Sequence, residues 1–475
     1  MKKWIVWFVF AAAVIIGLKC GSENQCVMRI GSERLNIEDA VKIYRMSQEA
    51  RKPGKVTIAD AKEFCLTRFS RDMYYLAEAK SLGIPEEDSI KAKIIRQKKK
   101  ILTRDLGLLY NQIVSDVKEP TEEDLRPLYD KRHWEYKLAH ILMPAPQLAD
   151  SVFNLAKNGV PFQQLVAQFS FDRRFADKKG QWVDWFLYGT MGGDFDDTVI
   201  SLKPGVTSKP IHTRYGYHIV RVLKKRERNQ LPFKQIIPWL RATYTSMQRE
   251  RKMFHYKQAL IEKYRFQVNE AAARSIIKAY REDQKGLPLL PKTQFTRQQL
   301  DATLATFDGG EFKVRDFVRE YNSERPILLP PLHRVDAVAE YAKKAAMVDM
   351  MYVDAVKRGL DKDPDYQNAV WLYSKNLYIT ECQKRIAQPF EITREEIRQR
   401  YDADSTFHKQ SFEEAAKWVE RGIRTEKMNA EYRRQLKYLQ EKYPVEFCNQ
   451  GLKKLVKRME QVKIELINKA PRMKK

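Results

Sequence analysis

The fold of this chain is decided by a stretch that begins Tyr136-Lys-Leu-Ala-His140-Ile-Leu-Met143 and ends Gly216-Tyr-His218-Ile-Val-Arg-Val222. The first end is an apolar run and the second alternates apolar with other residues, and both patterns are typical of β-strands. Between them, a helical run leads to Phe169-Ser-Phe-Asp172. The pattern indicates two strands, each with one histidine among apolar residues, joined by a helical region.

The order and spacing of these motifs resemble the parvulin family of peptidyl-prolyl cis/trans isomerases. In that family the first strand contains a His within an apolar run, matched here by His140, and the last strand contains Gly-x-His, matched by His218. The Ser-x-Asp that follows the family's first helix is matched by Ser170 and Asp172. The resemblance covers about one fifth of the chain. It implies an α+β domain with a small antiparallel sheet and surrounding helices over residues 131–227.

The resemblance also implies two groups of site residues. The family's proline pocket falls on Val183, Met191 and Phe195. The catalytic, hydrogen-bonded floor beside the rotating bond falls on His140, Asp172, Thr213 and His218. Taken singly, a histidine in an apolar strand is more often a core residue than a catalytic one. The complete set in this order favours the functional interpretation.

The chemistry needs these residue types and no cofactor. Rotation about an X-Pro bond crosses a barrier of about 20 kcal/mol because twisting removes the amide resonance. An apolar slot that grips the proline ring and polar groups that favour the twisted imide would lower that barrier. A nucleophile or metal ion is not required, and the scattered remaining histidines suggest no metal site.

The chain departs from the parvulin pattern beside the pocket. The stretch Gly180-Gln-Trp-Val-Asp-Trp-Phe186 has Gln181 and Asp184 where the family has glycine. Each change removes the freedom to adopt positive φ, so weak activity is one expectation. The loop Met143-Pro-Ala-Pro-Gln147 contains no cation that could clamp a phosphate, so phosphorylated substrates are not expected.

The N-terminus has the pattern of an export signal. Met1-Lys-Lys3 is followed by an apolar run from Trp4 to Leu18, which is short for a membrane span. Cys20 then resembles a bacterial lipoprotein processing site, although Lys19 precedes it where a small residue is usual. We expect a signal peptide over residues 1–20 and lipidation of Cys20, with an uncleaved anchor as the alternative. The body would lie on the periplasmic side of a bacterial membrane, the outer membrane being favoured.

The expected export of the chain determines how its charge and its cysteine content are interpreted. Lys and Arg number 87 against 61 Asp and Glu, which gives a net charge of +26. Such a charge would ordinarily suggest a nucleic-acid partner, but an exported protein does not encounter nucleic acid. Acidic clients, anionic lipid head groups or a solvated surface remain as explanations. Of the five cysteines, the four beyond Cys20 would suffice for two disulfides, whose pairing the sequence does not give.

Two parts of the chain have similar sequences. The pattern from Ile30 to Val41 recurs from Phe307 to Val318, and the pattern from Glu119 to Asp130 recurs from Glu391 to Asp402. Further similar pairs are Glu78 to Ile84 with Asp354 to Leu360, and Leu260 to Val268 with Leu439 to Phe447. The recurrence predicts two copies of one helical unit, of which only the first contains the isomerase.

A helical unit interrupted by a parvulin domain resembles the SurA, PrsA and PpiD group of extracytoplasmic foldases. We therefore expect an N-terminal helical chaperone segment over residues 27–130, the isomerase over 131–227 and a helix and strand completing the first module over 228–285. A second SurA-like helical module without the insert would occupy residues 299–475. An inert scaffold is the alternative interpretation of the repeated helices.

This organisation predicts an extracytoplasmic peptidyl-prolyl isomerase of the parvulin type and chaperone. It would assist the folding of secreted or outer-membrane proteins. Its partners would be unfolded or partly folded exported proteins with X-Pro bonds, and a membrane through the lipid anchor. One alternative is a non-catalytic chaperone or assembly lipoprotein whose isomerase domain only binds client peptides. Another is a structural lipoprotein subunit of an export machine.

Overall fold

The structure, a computed structural model, describes residues 25–172, 174 and 179–469. The expected signal peptide and the lipidation of Cys20 lie outside the described residues. The chain forms two compact units, one made of residues up to Ile101 together with those from Lys362 onward, and one made of residues 102–361. Across the described residues, no helix combines the length and the apolar character needed to cross a membrane.

The first part of the chain is a hairpin followed by helices. Its elements are β1 (Cys26–Ile30), β2 (Glu33–Asn36), α1 (Ile37–Met46), α2 (Ile58–Cys65), α3 (Arg71–Ser81) and α4 (Asp88–Thr103). The helix α1 begins after Asn36, which is its N-cap residue. The helix α3 ends shortly before Gly83, whose φ of 68° is incompatible with a continued helix.

The middle of the chain contains the longest strands. Its elements are α5 (Leu108–Ile113), α6 (Glu122–Lys131), β3 (Trp134–Met143), α7 (Pro146–Lys157), α8 (Phe162–Phe169), β4 (Phe186–Leu187), α9 (Gly193–Ser201), β5 (Ile211–Thr213), β6 (Gly216–Glu227), α10 (Phe233–Lys263), β7 (Gln267–Val268), α11 (Glu270–Ala279), β8 (Arg281–Glu282) and β9 (Pro288–Leu289). The helix α6 begins with a capping box, in which the hydroxyl of Thr121 accepts from the backbone N–H of Asp124.

The last part is mainly helical. Its elements are α12 (Arg297–Asp301), β10 (Thr303–Phe307), β11 (Gly310–Lys313), α13 (Val314–Ser323), α14 (Val335–Lys357), α15 (Pro364–Ile386), α16 (Arg394–Ala403), α17 (Phe412–Lys442), β12 (Val445–Phe447) and α18 (Asn449–Lys469). Long helices around small antiparallel sheets confirm the predicted α+β class.

The candidate site is built on a four-stranded antiparallel sheet with the order β4-β3-β6-β5. In the β3–β6 pair, His140 lies opposite Val220 and Leu142 lies opposite His218. Residues two apart on a strand point to the same face, so the two histidines are diagonal neighbours on one face. One side of the sheet packs on α7 and α8, and the other holds a cluster that includes Phe186, Phe195 and Val199.

Each unit also has a three-stranded sheet made from distant parts of the chain. In one unit β1 lies between β2 and β12, and in the other β10 lies between β11 and β7. The strand β7, which was expected to complete the first copy, therefore pairs with the hairpin of the second copy, with Val268 opposite Ala305. The strand β12 pairs with the first copy's hairpin, with Phe447 opposite Met28. Both pairings are antiparallel, so either copy offers a compatible edge.

The four cysteines that the structure describes lie in one unit and fall into two environments. Cys65 and Cys382 belong to its hydrophobic core and are fully buried. Cys26 is in β1 and Cys448 follows β12, and their sulfur atoms lie 2.7 Å apart. The pairing of β1 with β12 therefore brings one pair of thiols into contact.

Candidate active site

Two buried histidines form the centre of the site. Nδ1 of His140 lies 3.3 Å from Nδ1 of His218. Each side chain is only 2% exposed, so the hydrogen bond between the two rings is shielded from water. A single proton is shared along this bond, because one Nδ1 must donate and the other must accept. The sheet register thus brings two residues of the expected polar floor into contact.

The groups at either end of the pair set the direction of its hydrogen bonds. Nε2 of His140 lies 3.4 Å from Oδ2 of Asp172, which favours a proton on that nitrogen. His140 then accepts at Nδ1 from His218, and His218 accepts at Nε2 from the hydroxyl of Thr213, 2.9 Å away. The Thr213 oxygen itself accepts from the backbone N–H of Tyr215 at 3.1 Å. The carbonyl oxygen of Gly216 is a second acceptor for this hydroxyl at 3.3 Å, so the contact with the imidazole is the shorter of the two.

Charge is concentrated at the Asp172 end. The guanidinium of Arg174 donates to both carboxylate oxygens of Asp172, at 2.8 and 2.7 Å. Burial alone would raise the pKa of Asp172, but Arg174 and His140 outweigh it and hold that pKa well below its usual range. At the other end, burial and the neighbouring His140 lower the pKa of His218 to about 3. The imidazole of His218 is consequently neutral at pH 7.

An aromatic pocket adjoins the histidines. Phe195 is buried, and its ring meets that of His218 edge-on with centroids 5.2 Å apart. The indole of Trp182 stacks on the Phe195 ring with centroids 5.9 Å apart. Met191 packs against the same cluster and is partly exposed. The structure thus brings Met191 and Phe195 together with the four polar residues expected beside them. An apolar slot bordered by imidazoles is the arrangement that a proline ring next to a rotating imide needs.

Val183 does not join this pocket. Its side chain is 56% exposed and lies outside the cluster that contains Met191 and Phe195. The backbone N–H of Trp182 donates to the carbonyl of Leu138, which shares a face of β3 with His140. Trp182 therefore points to the histidines, and its neighbour points away. Trp182 was not predicted from the sequence as a pocket residue, although a large aromatic residue two positions after Gly180 was a usable signal.

The substitutions at Gln181 and Asp184 do not force strain. Positive φ occurs beside them at Gly180, with φ 77°, and at Lys179, but not at Gln181 or Asp184. Gly180 is required, because a Cβ there would lie 2.6 Å from the carbonyl oxygen of His140. The glycine that the geometry needs is therefore present, and the two departures fall where other residues fit.

A second acid, not anticipated from the sequence, shapes the loop that holds Met191. Asp196 is fully buried in α9 and accepts from the backbone N–H groups of Met191 and Gly192, at 3.1 and 3.0 Å, and from that of Gly189. Carboxylates that accept several backbone N–H bonds rigidify a turn. Its place one residue after Phe195, in the first turn of a helix, is the signal that could have found it.

The sequence of this chain is similar to sequences of known proteins. Residues 142–224 match the family model described as "Rotamase: PPIC-type PPIASE domain". Foldase protein PrsA of Oceanobacillus iheyensis is 23% identical over 240 residues, which are 48% of this chain and 78% of that protein. Foldase protein PrsA of Geobacillus kaustophilus is 33% identical over 136 residues, which are 29% of this chain and 46% of that protein.

Solved structures also match parts of this chain. The crystal structure of the peptidylprolyl isomerase PrsA from Bacillus anthracis matches 48% of this chain and 94% of its own, at 20% identity and a TM-score of 0.24. The solution structure of NmPin, the parvulin of Nitrosopumilus maritimus, matches 19% of this chain and 96% of its own, at 31% identity and a TM-score of 0.18.

Proposed function

This chain belongs to the parvulin-type peptidyl-prolyl isomerases and foldases, and we propose that its isomerase acts on unphosphorylated X-Pro bonds of exported clients through the site described above. Membership follows from the match of residues 142–224 to the PPIC-type domain and from the similarity to PrsA foldases. The single observation that supports the site assignment is the contact between the histidine pair and the Met191–Phe195 pocket.

The mechanism needs only binding and polarity. Met191, Phe195 and Trp182 hold the proline ring, so rotation is confined to the acyl side of the bond. Twisting the imide removes its resonance and localises electron density on the nitrogen. The neutral imidazole of His218, the ring of His140 bonded to it and the Thr213 hydroxyl provide a fixed polar floor for this state, at no cost in reorganisation. Their hydrogen bonds to Asp172 and Tyr215 keep the floor in one protonation pattern.

The test is isomerase activity of the purified chain on unphosphorylated X-Pro peptides, measured by NMR exchange. We expect catalysis that is lost in Met191→Ala and in His218→Ala while both variants remain folded by circular dichroism. Val206→Ala is the matched control, because Val206 is an exposed apolar residue of the same domain. Folded wild type that binds the peptides without catalysing exchange would instead support client binding alone.

Export and anchoring are further parts of the proposal. The basic start, the apolar run and Cys20 support a lipoprotein on the periplasmic side, with the outer membrane favoured. Labelling of cells with a radioactive fatty acid tests this. Incorporation into wild type and none into Cys20→Ala is expected. Unlabelled wild type that fractionates with the membrane would support an uncleaved anchor instead.

The helical parts are proposed to hold unfolded clients, as two copies of one unit. Support comes from the paired sequence patterns and from exposed aromatic residues on α17, where Trp418 is 62% and Tyr432 is 42% exposed. Exposed large apolar groups are suited to aggregation-prone segments. Suppression of client aggregation by wild type, weakened in the double variant Trp418→Ala, Tyr432→Ala, is the expected result. Equal suppression by the variant would remove this surface from the proposal.

A further inference from the structure

A cavity of about 330 Å³ opens beside the proline pocket. One wall is formed by the isomerase domain, with Met191, Phe195 and Thr213. The opposite wall comes from outside the matched domain: from α10, and from the segment 105–110 at the start of α5. The site is thus one half of a larger cleft, and the helical module supplies the other half.

The α10 wall is fixed to the isomerase domain. Arg251 of α10 forms an ion pair with Asp197 of α9 at 2.9 Å, and Asp197 also accepts from Lys131. The ring of Phe254 meets His212 of β5 edge-on, with centroids 5.3 Å apart. These contacts hold α10 at a defined distance from the pocket, so a client side chain would meet a preformed surface.

The lining is apolar at its centre and balanced in charge. Met253, Phe254, Tyr110, Leu106 and Tyr215 supply the apolar surface. The ionic groups are three carboxylates, of Asp105, Asp194 and Glu250, and three cations, of Arg214, Arg251 and Lys257. Because the formal charges of these three carboxylates and three cations cancel, the cavity selects for apolar character and not for a charged client residue.

Two residues that line the cavity, Leu106 and Tyr215, are exposed although they are large and apolar. Leu106 is 69% exposed and has a φ of 59°, a conformation that a leucine rarely adopts. Tyr215, next to Thr213 in the chain, is 49% exposed. Exposed apolar groups and strained backbone at the rim of a cavity are typical of a binding surface.

We propose that this cavity binds a large apolar or aromatic client side chain close in sequence to the isomerised proline, and that Phe254 is its specificity-determining contact. The proposal rests on the proposed function, because it extends the same site. An extended peptide advances about 3.3 Å per residue, so a side chain one or two residues from the proline reaches the adjoining cavity. A volume of this size accommodates one aromatic side chain.

The experiment compares two sets of unphosphorylated peptides that differ only in having Phe or Ala at the two positions on either side of a proline. Binding is followed by calorimetry and isomerisation by NMR exchange, for the full chain and for Phe254→Ala. Trp239→Ala is the matched control, because it truncates an exposed aromatic residue of α10 that does not line the cavity. Phe254→Ala is expected to weaken binding of the Phe peptides about tenfold and that of the Ala peptides less than twofold.

The outcomes separate this inference from the proposed function. Equal binding of Phe and Ala peptides by wild type, or an equal loss for both sets in Phe254→Ala, would overturn the cavity assignment even if isomerisation is normal. Selective loss of Phe binding without any isomerisation would support the cavity while the catalytic proposal fails. Trp239→Ala that reproduces the selective loss would assign the effect to α10 as a whole and overturn the role of Phe254.

Discussion

The carboxylate of Asp354 accepts a hydrogen bond from the ammonium of Lys263 at 2.6 Å, although they are 91 residues apart in the chain. The hydroxyl groups of Tyr264 and Tyr256 donate to the same carboxylate at 2.9 and 2.8 Å. Arg358, the C-cap residue of α14, donates to this carboxylate at 2.7 Å. The carboxylate is 1% exposed, and the donors outweigh the effect of burial and hold the pKa of Asp354 well below its usual range.

The other unit contains the same arrangement. Glu78 accepts from Lys442 and from the hydroxyl of Tyr443, each at 2.7 Å. Glu78 and Asp354 occupy matching positions in the two similar sequence patterns, and Lys442-Tyr443 matches Lys263-Tyr264. In each unit, therefore, the acid of one pattern is bound by the Lys-Tyr pair of the other. The strands β7 and β12 are exchanged in the same way, because each pairs with the hairpin of the other copy.

Replacing Asp354 by Asn is predicted to destabilise the unit of residues 102–361. The buried hydroxyl of Tyr264 and the partly buried hydroxyl of Tyr256 would lose a charged acceptor, which costs about 2 kcal/mol. A fall of roughly 5 °C in the calorimetric transition of that unit is expected. Lys263→Ala is the control, with a loss below about 1 kcal/mol, because that side chain is 53% exposed. Equal losses in both variants would show that the ion pair, and not the buried network, is decisive.

Removing the hydroxyl of Thr213 is predicted to lower isomerase activity without unfolding the domain. Thr213→Val keeps the shape but leaves Nε2 of His218 without its donor, and the loss of about 1 kcal/mol corresponds to a roughly fivefold lower kcat/KM. Thr213→Ser should restore most of the activity, since it retains the donor. Full activity in the valine variant would exclude Thr213 from the polar floor.

Acidification is predicted to destabilise the unit through His218. Its pKa is about 3 in the folded chain, so between the usual value near 6.5 and pH 3 only the unfolded chain takes up the proton. The free energy of unfolding therefore decreases as the pH is lowered through this window, by up to about 1 kcal/mol per pH unit. Urea unfolding between pH 4.5 and 7 measures the slope. His218→Phe should flatten it, whereas loss of the exposed His333 should not.

Trp182 is predicted to matter more for proline binding than Val183 does. Trp182→Ala removes the ring that stacks on Phe195, and a drop of tenfold or more in kcat/KM is expected, about 1.4 kcal/mol. Val183→Ala changes an exposed side chain and should stay within twofold. A larger effect at Val183 would show that the client covers the exposed surface around this residue.

Local patterns predicted the site better than they predicted the connections between copies. The strands that hold His140 and His218 have clear apolar patterns, and their register then determines the contact between the rings. Val183 was misplaced because the residues between Gly180 and β4 show no alternation, so only the hydrogen bond to β3 decides which side chain points inward. The exchange of β7 and β12 was not predictable, because both copies offer similar antiparallel partners.

The contact between Cys26 and Cys448 predicts a cross-link if the chain reaches an oxidising compartment. Their thiols would exchange with a disulfide-bearing oxidant, forming one bond and releasing two reduced thiols. Burial raises the pKa of Cys65 and of Cys382 to about 12, so these two are expected to stay reduced. A closed loop this long would stabilise the folded unit by several kcal/mol, chiefly by constraining the unfolded chain.

Mass spectrometry of unreduced peptides from exported protein tests the pair. A linked peptide containing Cys26 and Cys448 is expected, together with alkylation of Cys65 and Cys382 after denaturation. Dithiothreitol should lower the melting temperature of wild type but not of Cys448→Ser. Complete alkylation of Cys26 in exported wild type would contradict the cross-link.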